Sequence, residues 1–208
     1  MNKKNLNKIF QILEKETPEP VTELIYKTNF QLLIAVILSA QATDKSVNAA
    51  TKKLFKVAPD AKSIYKLGEN KLKEYIKTIG LYNAKAKNVI STCKTLLEKY
   101  DNKIPKTREV LQSLPGVGRK TANVVLNNAF GQPTIGVDTH VFRVSNRTGL
   151  AIGKNVEEVE KKLIKRLPEE YFFHAHHWLI LHGRYTCKAR NPLCIECIIS
   201  DLCPSKAS

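Results

Sequence analysis

The sequence lacks an apolar run long enough to cross a membrane. Its longest apolar stretch, residues 30–42, spans 13 residues and is interrupted by polar side chains, whereas a membrane-spanning helix needs roughly 20 consecutive apolar residues. Residues 1–10 are polar and basic, and the apolar core of a secretory signal does not follow them. We therefore expect no membrane partner and a cytoplasmic protein.

Acidic residues are scarce relative to basic ones. The 208 residues include 34 Lys and Arg against 19 Asp and Glu, a formal net charge of +15. A field of this sign attracts polyanions, and neutralised phosphates release their condensed counterions. Nucleic acid is therefore the leading partner class. The alternative is a lysine-rich proteome in which the charge has no specific role.

Sustained alternation of apolar and polar residues, the mark of a half-buried strand, is also absent. Apolar residues instead recur with helical spacing in almost every segment, which predicts an all-α fold. After a first helix that ends near Thr17, the predicted helices cover residues 30–41, 44–55, 72–79, 83–98, 108–114, 119–130, 138–148, 156–167 and 169–181. Another short helix is predicted to open at Pro59-Asp60.

Cysteines are few and odd in number, so a disulfide framework is not expected in a cytoplasmic protein. Cys93 stands alone within a helical pattern and reads as a small core residue. The other four have the spacing C-x6-C-x2-C-x5-C and can close around one metal centre: Cys187, Cys194, Cys197 and Cys203. Zinc is an alternative, although structural zinc sites usually pair two C-x2-C knuckles and this segment has one.

A glycine hairpin lies between two predicted helices, in the sequence Leu-Pro-Gly-Val-Gly-Arg-Lys-Thr-Ala that starts at residue 114. Gly116 and Gly118 permit a tight turn and close approach to another chain. The first turn of the following helix, which begins with Arg119, offers N–H groups and a positive helix end to an anion. A DNA phosphate would fit such a site. The alternative is an ordinary helix–helix turn with a glycine cap.

The hairpin resembles the helix-hairpin-helix of the endonuclease III family. Further similarity lies in Leu-Ser-Ala-Gln-Ala-Thr-Asp at 38–44, in Val-Asp-Thr-His-Val-Phe-Arg at 137–143 and in the cysteine segment, in the family's order. The resemblance implies a DNA glycosylase fold with two helical domains and a C-terminal loop that binds a [4Fe–4S] cluster. We expect residues 22–132 to form one domain, and residues 1–21 with 133–208 to form the other.

The resemblance also implies the roles of individual residues. Lys120 would be the nucleophile and Asp138 its acidic partner, in the cleft between the domains, while Gln41 and Leu81 would fill the gap left by a flipped nucleotide. Each has a simpler interpretation when taken alone: Lys120 as a phosphate-binding lysine, Asp138 as a helix N-cap, Gln41 as a polar residue at a helix end and Leu81 as a core leucine.

Basic and polar residues complete the expected DNA contacts. His140, beside the aspartate, would line the pocket or contact phosphate, although a structural role is an equal alternative. Lys188 and Arg190 lie between the first two cysteines, so a metal-bound loop would present both cations to phosphate.

The implied function is base-excision repair: removal of oxidised or ring-saturated pyrimidines, then cleavage of the abasic site by β-elimination. The expected partner is double-stranded DNA with damaged pyrimidines or abasic sites, bound by a monomer that associates with the nucleoid. Two alternatives stay open. A monofunctional adenine–mismatch enzyme would lack a lysine at 120 and usually carry a further C-terminal domain, and a non-catalytic cluster protein would only bind DNA or carry electrons.

Overall fold

The computed structural model describes residues 1–206, and within that range it contains eleven α-helices and no strand. The predicted all-α fold is confirmed. The helices are α1 Lys3–Glu16, α2 Asn29–Ser39, α3 Asp44–Val57, α4 Ala61–Leu67, α5 Glu69–Ile76, α6 Tyr82–Lys99, α7 Arg108–Gln112, α8 Arg119–Phe130, α9 Thr139–Thr148, α10 Val156–Arg166 and α11 Phe172–Tyr185. Across this described range, every helix is too short or too polar to span a membrane.

Internal contacts divide the chain into two compact units. Thr22–Phe130 forms the first, called here the hairpin unit, and Met1–Val21 with Gly131–Ser208 forms the second, called here the cluster unit. Each unit has its own apolar core, so each positions its own candidate site residues.

The hairpin unit is built around α2. Its N-cap Thr28 accepts a hydrogen bond from the Gln31 N–H, and residues 30–38 are all buried. A helix that is apolar on every side belongs inside a protein rather than at its surface, and α3, α6 and α8 pack against it. This core holds the hairpin between α7 and α8 from behind.

In the cluster unit, α9 and α1 pack against α11, and α10 packs against α9. Phe10 of α1 stacks on Tyr171 with ring centroids 5.3 Å apart, and both rings contact Trp178 of α11. The Trp178 indole N–H donates to the Thr17 carbonyl over 2.8 Å, which satisfies the polar end of an otherwise buried ring. The N-terminal helix is thereby part of this core.

Several helices end at residues other than those predicted. α2 stops at Ser39, because the Ala42 N–H bonds to the Ser39 carbonyl in a turn, and α5 stops at Ile76, where the Ile79 N–H closes a similar turn. Both endings put more residues into the turns at 40–43 and 77–81. The last helix continues to Tyr185, four residues beyond the expected end.

Candidate functional site

The hairpin joins α7 to α8 through residues 113–118. Leu114 and Val117 are buried and anchor it to the core, and the Val117 N–H donates to the Leu114 carbonyl over 3.1 Å. Gly116 has a φ of 79°, a left-handed conformation that glycine adopts without steric cost. Gly116 and Gly118 are exposed, so this stretch of backbone is open to a phosphate.

Helix α6 supports the hairpin. The Thr92 hydroxyl donates to the Pro115 carbonyl over 2.8 Å. The Asn88 side chain lies against Gly116, where an added Cβ would come within 3.0 Å of it. Position 116 therefore requires glycine for two reasons, its positive φ and its close contact with Asn88.

Lys120 is the second residue of α8 and is half-buried. It follows Arg119 in the first turn, where the helix end is positive. Lysine acts as a nucleophile only through its neutral amine.

Gln41 and Leu81 lie in neighbouring turns of the hairpin unit. Both have left-handed backbone conformations, with φ of 52° and 60°, which are uncommon for residues other than glycine and cluster at functional sites. A Cβ on Gly80 would lie 3.7 Å from the Gln41 carbonyl oxygen, so the turns touch. Leu81 is 59% exposed, which rules out the simpler interpretation of a core leucine.

Asp138 lies in the cluster unit and is the N-cap of α9. Its Oδ1 accepts hydrogen bonds from the N–H groups of His140 and Val141 over 2.8 and 2.9 Å. Both bonds fix the orientation of the carboxylate at the start of α9. The capping role and an acidic role in chemistry are compatible, because the two bonds use one carboxylate oxygen.

His140 is oriented by Arg143. The Arg143 Nη2 lies 3.2 Å from His140 Nδ1 and donates to the Gly183 carbonyl over 2.7 Å. Because a guanidinium only donates, Nδ1 is the acceptor and the neutral ring carries its proton on Nε2. Gly183 lets α11 approach closely, since a Cβ there would meet the His140 Cβ at 2.9 Å. His140 is thus held in place by Arg143 and by the close approach of Gly183, and its Nε2–H remains available as a hydrogen-bond donor.

Four cysteines line one cavity of about 180 Å³ in the cluster unit, and they are the four predicted from the spacing. A single water needs only about 10–15 Å³, so this cavity has room for much more than one ion. Within residues 1–206, no three His, Cys, Asp or Glu side chains have the spacing for a single metal ion. A [4Fe–4S] cluster takes one thiolate at each of four irons, so it needs sulfurs spread around a larger core.

The electrostatics of the cavity also fit a cluster. Burial raises the pKa of the Cys197 and Cys203 thiols, and negative charge on neighbouring cysteines raises each pKa further. Four thiolates in this space would repel one another unless a cationic centre lay among them. A bound metal reverses this effect and deprotonates the thiols that coordinate it.

Two arginines of α9 hold the cluster segment. Arg147 donates from Nη1 to the Lys188 carbonyl over 2.6 Å and from Nη2 to the Ala189 carbonyl over 3.0 Å. Arg143 donates from Nε to the Cys187 carbonyl over 2.9 Å. Sequence reasoning missed both arginines, although their spacing of four residues on one helix face could have indicated a shared partner.

The side chains of Lys188 and Arg190 are exposed in the loop between the first two cysteines. Because Arg147 binds the carbonyls beneath them, the backbone there is held while the cations stay in solvent. His182 of α11 lines the cavity, with Nε2 3.7 Å from the Cys197 Sγ.

Two family models match this chain. Residues 34–169 match the HhH-GPD superfamily of base excision DNA repair proteins, and residues 187–203 match the iron-sulfur binding domain of endonuclease III. Endonuclease III of Haemophilus influenzae is 60% identical over 206 residues, which cover 99% of this chain and 98% of the relative. The chain belongs to the endonuclease III family.

Other relatives agree with this assignment. Endonuclease III of Escherichia coli is 59% identical and covers 99% of this chain and 98% of its own. The solved structure of a trapped endonuclease III–DNA covalent intermediate aligns with a TM-score of 0.93 at 43% identity, covering 99% of this chain and 97% of that one. A thermostable thymine-DNA glycosylase, with a TM-score of 0.87 at 23% identity over 98% and 97% of the two chains, shows the same fold.

Membership in the family gives the general function. The protein is a DNA glycosylase of base-excision repair with lyase activity on abasic sites, its partner is DNA, and it carries a [4Fe–4S] cluster. The family resemblance drawn from the hairpin, the Asp138 segment and the cysteines is confirmed.

Proposed function

We propose that this enzyme removes oxidised or ring-saturated pyrimidines from duplex DNA and cuts the resulting abasic site by β-elimination, as a monomer with Lys120 as nucleophile. The observation that carries this proposal is the position of Lys120 in the first helical turn after an exposed glycine hairpin. A phosphate bound by that hairpin would bring the sugar–phosphate backbone to the amine.

Lys120 explains how one residue serves both steps. Its neutral amine attacks C1′, the C1′–N bond breaks, and the base leaves with a proton. The nitrogen lone pair then forms a C1′=N bond as the C1′–O4′ bond breaks, and O4′ takes up a proton, which opens the sugar and gives a protonated Schiff base. Removal of a C2′ proton then expels the 3′ phosphate, and water releases the lysine. The similar endonuclease III structure is that of a trapped covalent intermediate with DNA, and we infer that this chain forms such a covalent bond through Lys120.

Asp138 is proposed as the acidic partner. An ionised carboxylate near C1′ can accept a proton from the amine or stabilise the positive charge that develops on the sugar as the base leaves. The N–H groups of His140 and Val141 donate to its Oδ1 and hold the carboxylate in one orientation. Helix capping therefore prepares the carboxylate for this role.

Gln41 and Leu81 are proposed to fill the space in the duplex after the nucleotide flips out. An exposed apolar side chain at a turn is unfavourable in water and favourable in a base stack, and Leu81 is such a residue. Gln41, exposed in the adjoining turn, offers an amide that can hydrogen-bond the unpaired base. His140 is proposed to donate from Nε2 to a phosphate nearby.

The cluster ligands are proposed to be Cys187, Cys194, Cys197 and Cys203, one for each iron. The bound cluster would cross-link a segment that has little apolar core of its own, and so would fix the loop that carries Lys188 and Arg190. Neutralising either cation should weaken binding to all DNA sequences alike and lower the salt slope by about one. An unchanged slope would contradict this part of the proposal.

The two other classes make different predictions. A monofunctional glycosylase would release the base and leave the strand intact, and position 120 is a lysine here. A non-catalytic cluster protein would bind DNA equally well with and without the Lys120 amine. It would cut neither DNA with an abasic site nor DNA with an oxidised thymine.

The test is borohydride trapping on duplex DNA with an abasic site or an oxidised thymine. The cluster-loaded parent should give a covalent adduct, and Lys120→Ala should give none, because only an imine is reduced to a stable amine. Lys53→Ala, at an exposed lysine of the same unit, is the matched control and should behave as the parent. An adduct that survives Lys120→Ala would remove Lys120 from the mechanism.

Asp138→Asn separates the two roles of the aspartate. Asparagine caps helices as well as aspartate does, so α9 should keep its stability while base excision falls by about a hundredfold or more. Equal excision rates in the variant and the parent would reduce Asp138 to a helix cap.

A further inference from the structure

Lys85 is a lysine that is buried inside the hairpin unit. The residue is only 5% exposed, and its Nζ is buried and has no hydrogen-bond partner. Burial lowers its pKa, because the charged form loses its hydration. Buried polar groups without partners are rare, and each costs free energy. A buried amine without a partner calls for an explanation, and binding of an anion would supply one.

The helical spacing places Lys85 between two parts of the proposed DNA surface. Leu81, Lys85, Asn88 and Thr92 follow the interval of 4, 3 and 4 residues that aligns side chains along one face of a helix. The first is the exposed turn residue, and the last two contact the hairpin at Gly116 and Pro115. Lys85 therefore lies on the stripe that leads from Leu81 to the hairpin.

The N-terminus of α6 offers further donors. The helix is 18 residues long, and Leu81 at its N-cap makes no side-chain capping bond to the first turn. Side chains in a helix lean toward its N-terminus and cover the preceding turn. Lys85 lies in the second turn of the helix, within reach of the uncapped end, where the helix is positive.

We propose that the N-terminus of α6 and the Lys85 ammonium form a second phosphate site, which binds a backbone phosphate next to the nucleotide that Leu81 replaces. This inference rests on the proposed insertion of Leu81. Because Nζ is inaccessible in the free protein, binding requires a change of rotamer, which the four-carbon stem of lysine permits. The site would hold the strand on the side of Leu81, as the hairpin does near Lys120.

The competing explanation is that Lys85 only packs its aliphatic stem in the core. The two explanations predict opposite changes in the stability of the free protein when Lys85 is replaced. If the ammonium is kept for DNA, replacing it with an apolar group of similar shape should stabilise the free protein, because an unsatisfied buried donor disappears. If Lys85 is structural, the same change should destabilise the protein or leave DNA binding intact.

The first experiment compares Lys85→Met with Lys87→Met, a lysine exposed on the same helix, both loaded with cluster. Lys85→Met should raise Tm by about 2–4 °C. It should weaken binding to abasic duplex DNA roughly tenfold and lower the salt slope by about one. Lys87→Met should change Tm and affinity little. A fall in Tm with parent-like affinity would overturn the proposal.

The second experiment locates the phosphate. Single phosphates around the abasic site are replaced by neutral methylphosphonates, and affinities are measured for the parent and Lys85→Met. One linkage should weaken the parent by roughly tenfold and leave the variant almost unchanged. Additive losses at every linkage would overturn the site. Failure of the proposed function would look different, because the parent itself would then form no borohydride adduct.

Lys85→Gln provides a second variant of similar length. It removes the charge and retains a donor, so it should weaken binding and lower the slope as Lys85→Met does. If Lys85→Met does not fold, Lys85→Gln gives the same decision, since parent-like affinity and slope in a folded Lys85→Gln protein would overturn the proposal.

Discussion

Two segments of this chain are held in place by different means. In the hairpin unit, α2 buries residues 30–38 without interruption, so burial of apolar surface is the main contribution that holds it in place. In the cluster unit, residues 186–206 bury only Ile199. That segment is held by guanidinium bonds to its carbonyls and, in the loaded enzyme, by the cluster.

The difference shows how the protein separates stability from DNA contact. A segment that must present cations to phosphate cannot also bury them, since charged groups stay hydrated. A metal cross-link fixes such a segment without an apolar core, as it does in small metal-binding domains. The hairpin, in contrast, is a short loop placed directly on a buried core through Leu114 and Val117.

The largest expected effect comes from removing the cross-link. In Cys197→Ser the cluster should be lost, seen as loss of its visible absorption, and residues 186–206 should exchange amide hydrogens freely. α2 should keep its protection, because it owes nothing to the cluster. Cys93→Ala, which leaves the four ligands intact, is the control. Retained protection of residues 186–206 without a cluster would remove the contrast between the two segments.

The next effect tests the apolar side of the comparison. Leu33 is fully buried in α2, so Leu33→Ala should lower the free energy of unfolding of the hairpin unit by about 2–5 kcal/mol. Val57→Ala, at a residue that is 54% exposed, should change it by less than about 0.5 kcal/mol. Urea unfolding followed by circular dichroism measures both. Similar losses in the two variants would contradict a core centred on α2.

These two segments also differ in how far the sequence predicted them. Helical spacing identified α2, since its residues interact mainly by burial, which periodicity reports. The cysteine spacing predicted which thiols converge. The supporting contacts were not predictable: Arg147 bonds to carbonyl groups some 41 and 42 residues along the chain, and backbone acceptors have no signature in the side-chain pattern.

The hairpin region shows the same limit. Gly116 and Gly118 marked the turn, but its support by Thr92 and Asn88 depends on how α6 packs beneath it. Lys85 resembles any other lysine in a chain with 34 basic residues. Only its burial in the folded protein distinguishes it. Individual catalytic roles came from the family resemblance rather than from local pattern.

A smaller effect should follow from removing the protein's own support of the cluster segment. Arg147→Met leaves the carbonyls of Lys188 and Ala189 without their donor, which should lower the local stability of that segment by about 1–3 kcal/mol. Amide exchange of residues 186–194 in the loaded enzyme measures it. Lys161→Met, at an exposed residue of α10, is the control. Equal exchange in both variants would assign the support to the cluster alone.

The smallest effect concerns Cys93, the cysteine of the apolar core. Burial first, then the charge of Asp60, raises the pKa of this thiol from 9.0 to about 12. The folded state therefore keeps its proton above pH 9 while the unfolded state loses it. Stability from this group is fully present below pH 9 and is lost as the pH rises toward 12, by about 1.4 kcal/mol per pH unit.

Urea titrations of the parent and Cys93→Ala between pH 8 and about 10 isolate this contribution, since the other alkaline groups are common to both proteins. The parent should lose stability more steeply above pH 9. Parallel curves would mean that the Cys93 thiol ionises as easily in the folded protein as in the unfolded one. Such a thiol could not lie in a dry core, and the contrast between the buried cysteine and the cavity-lining cysteines would then rest on sequence spacing alone.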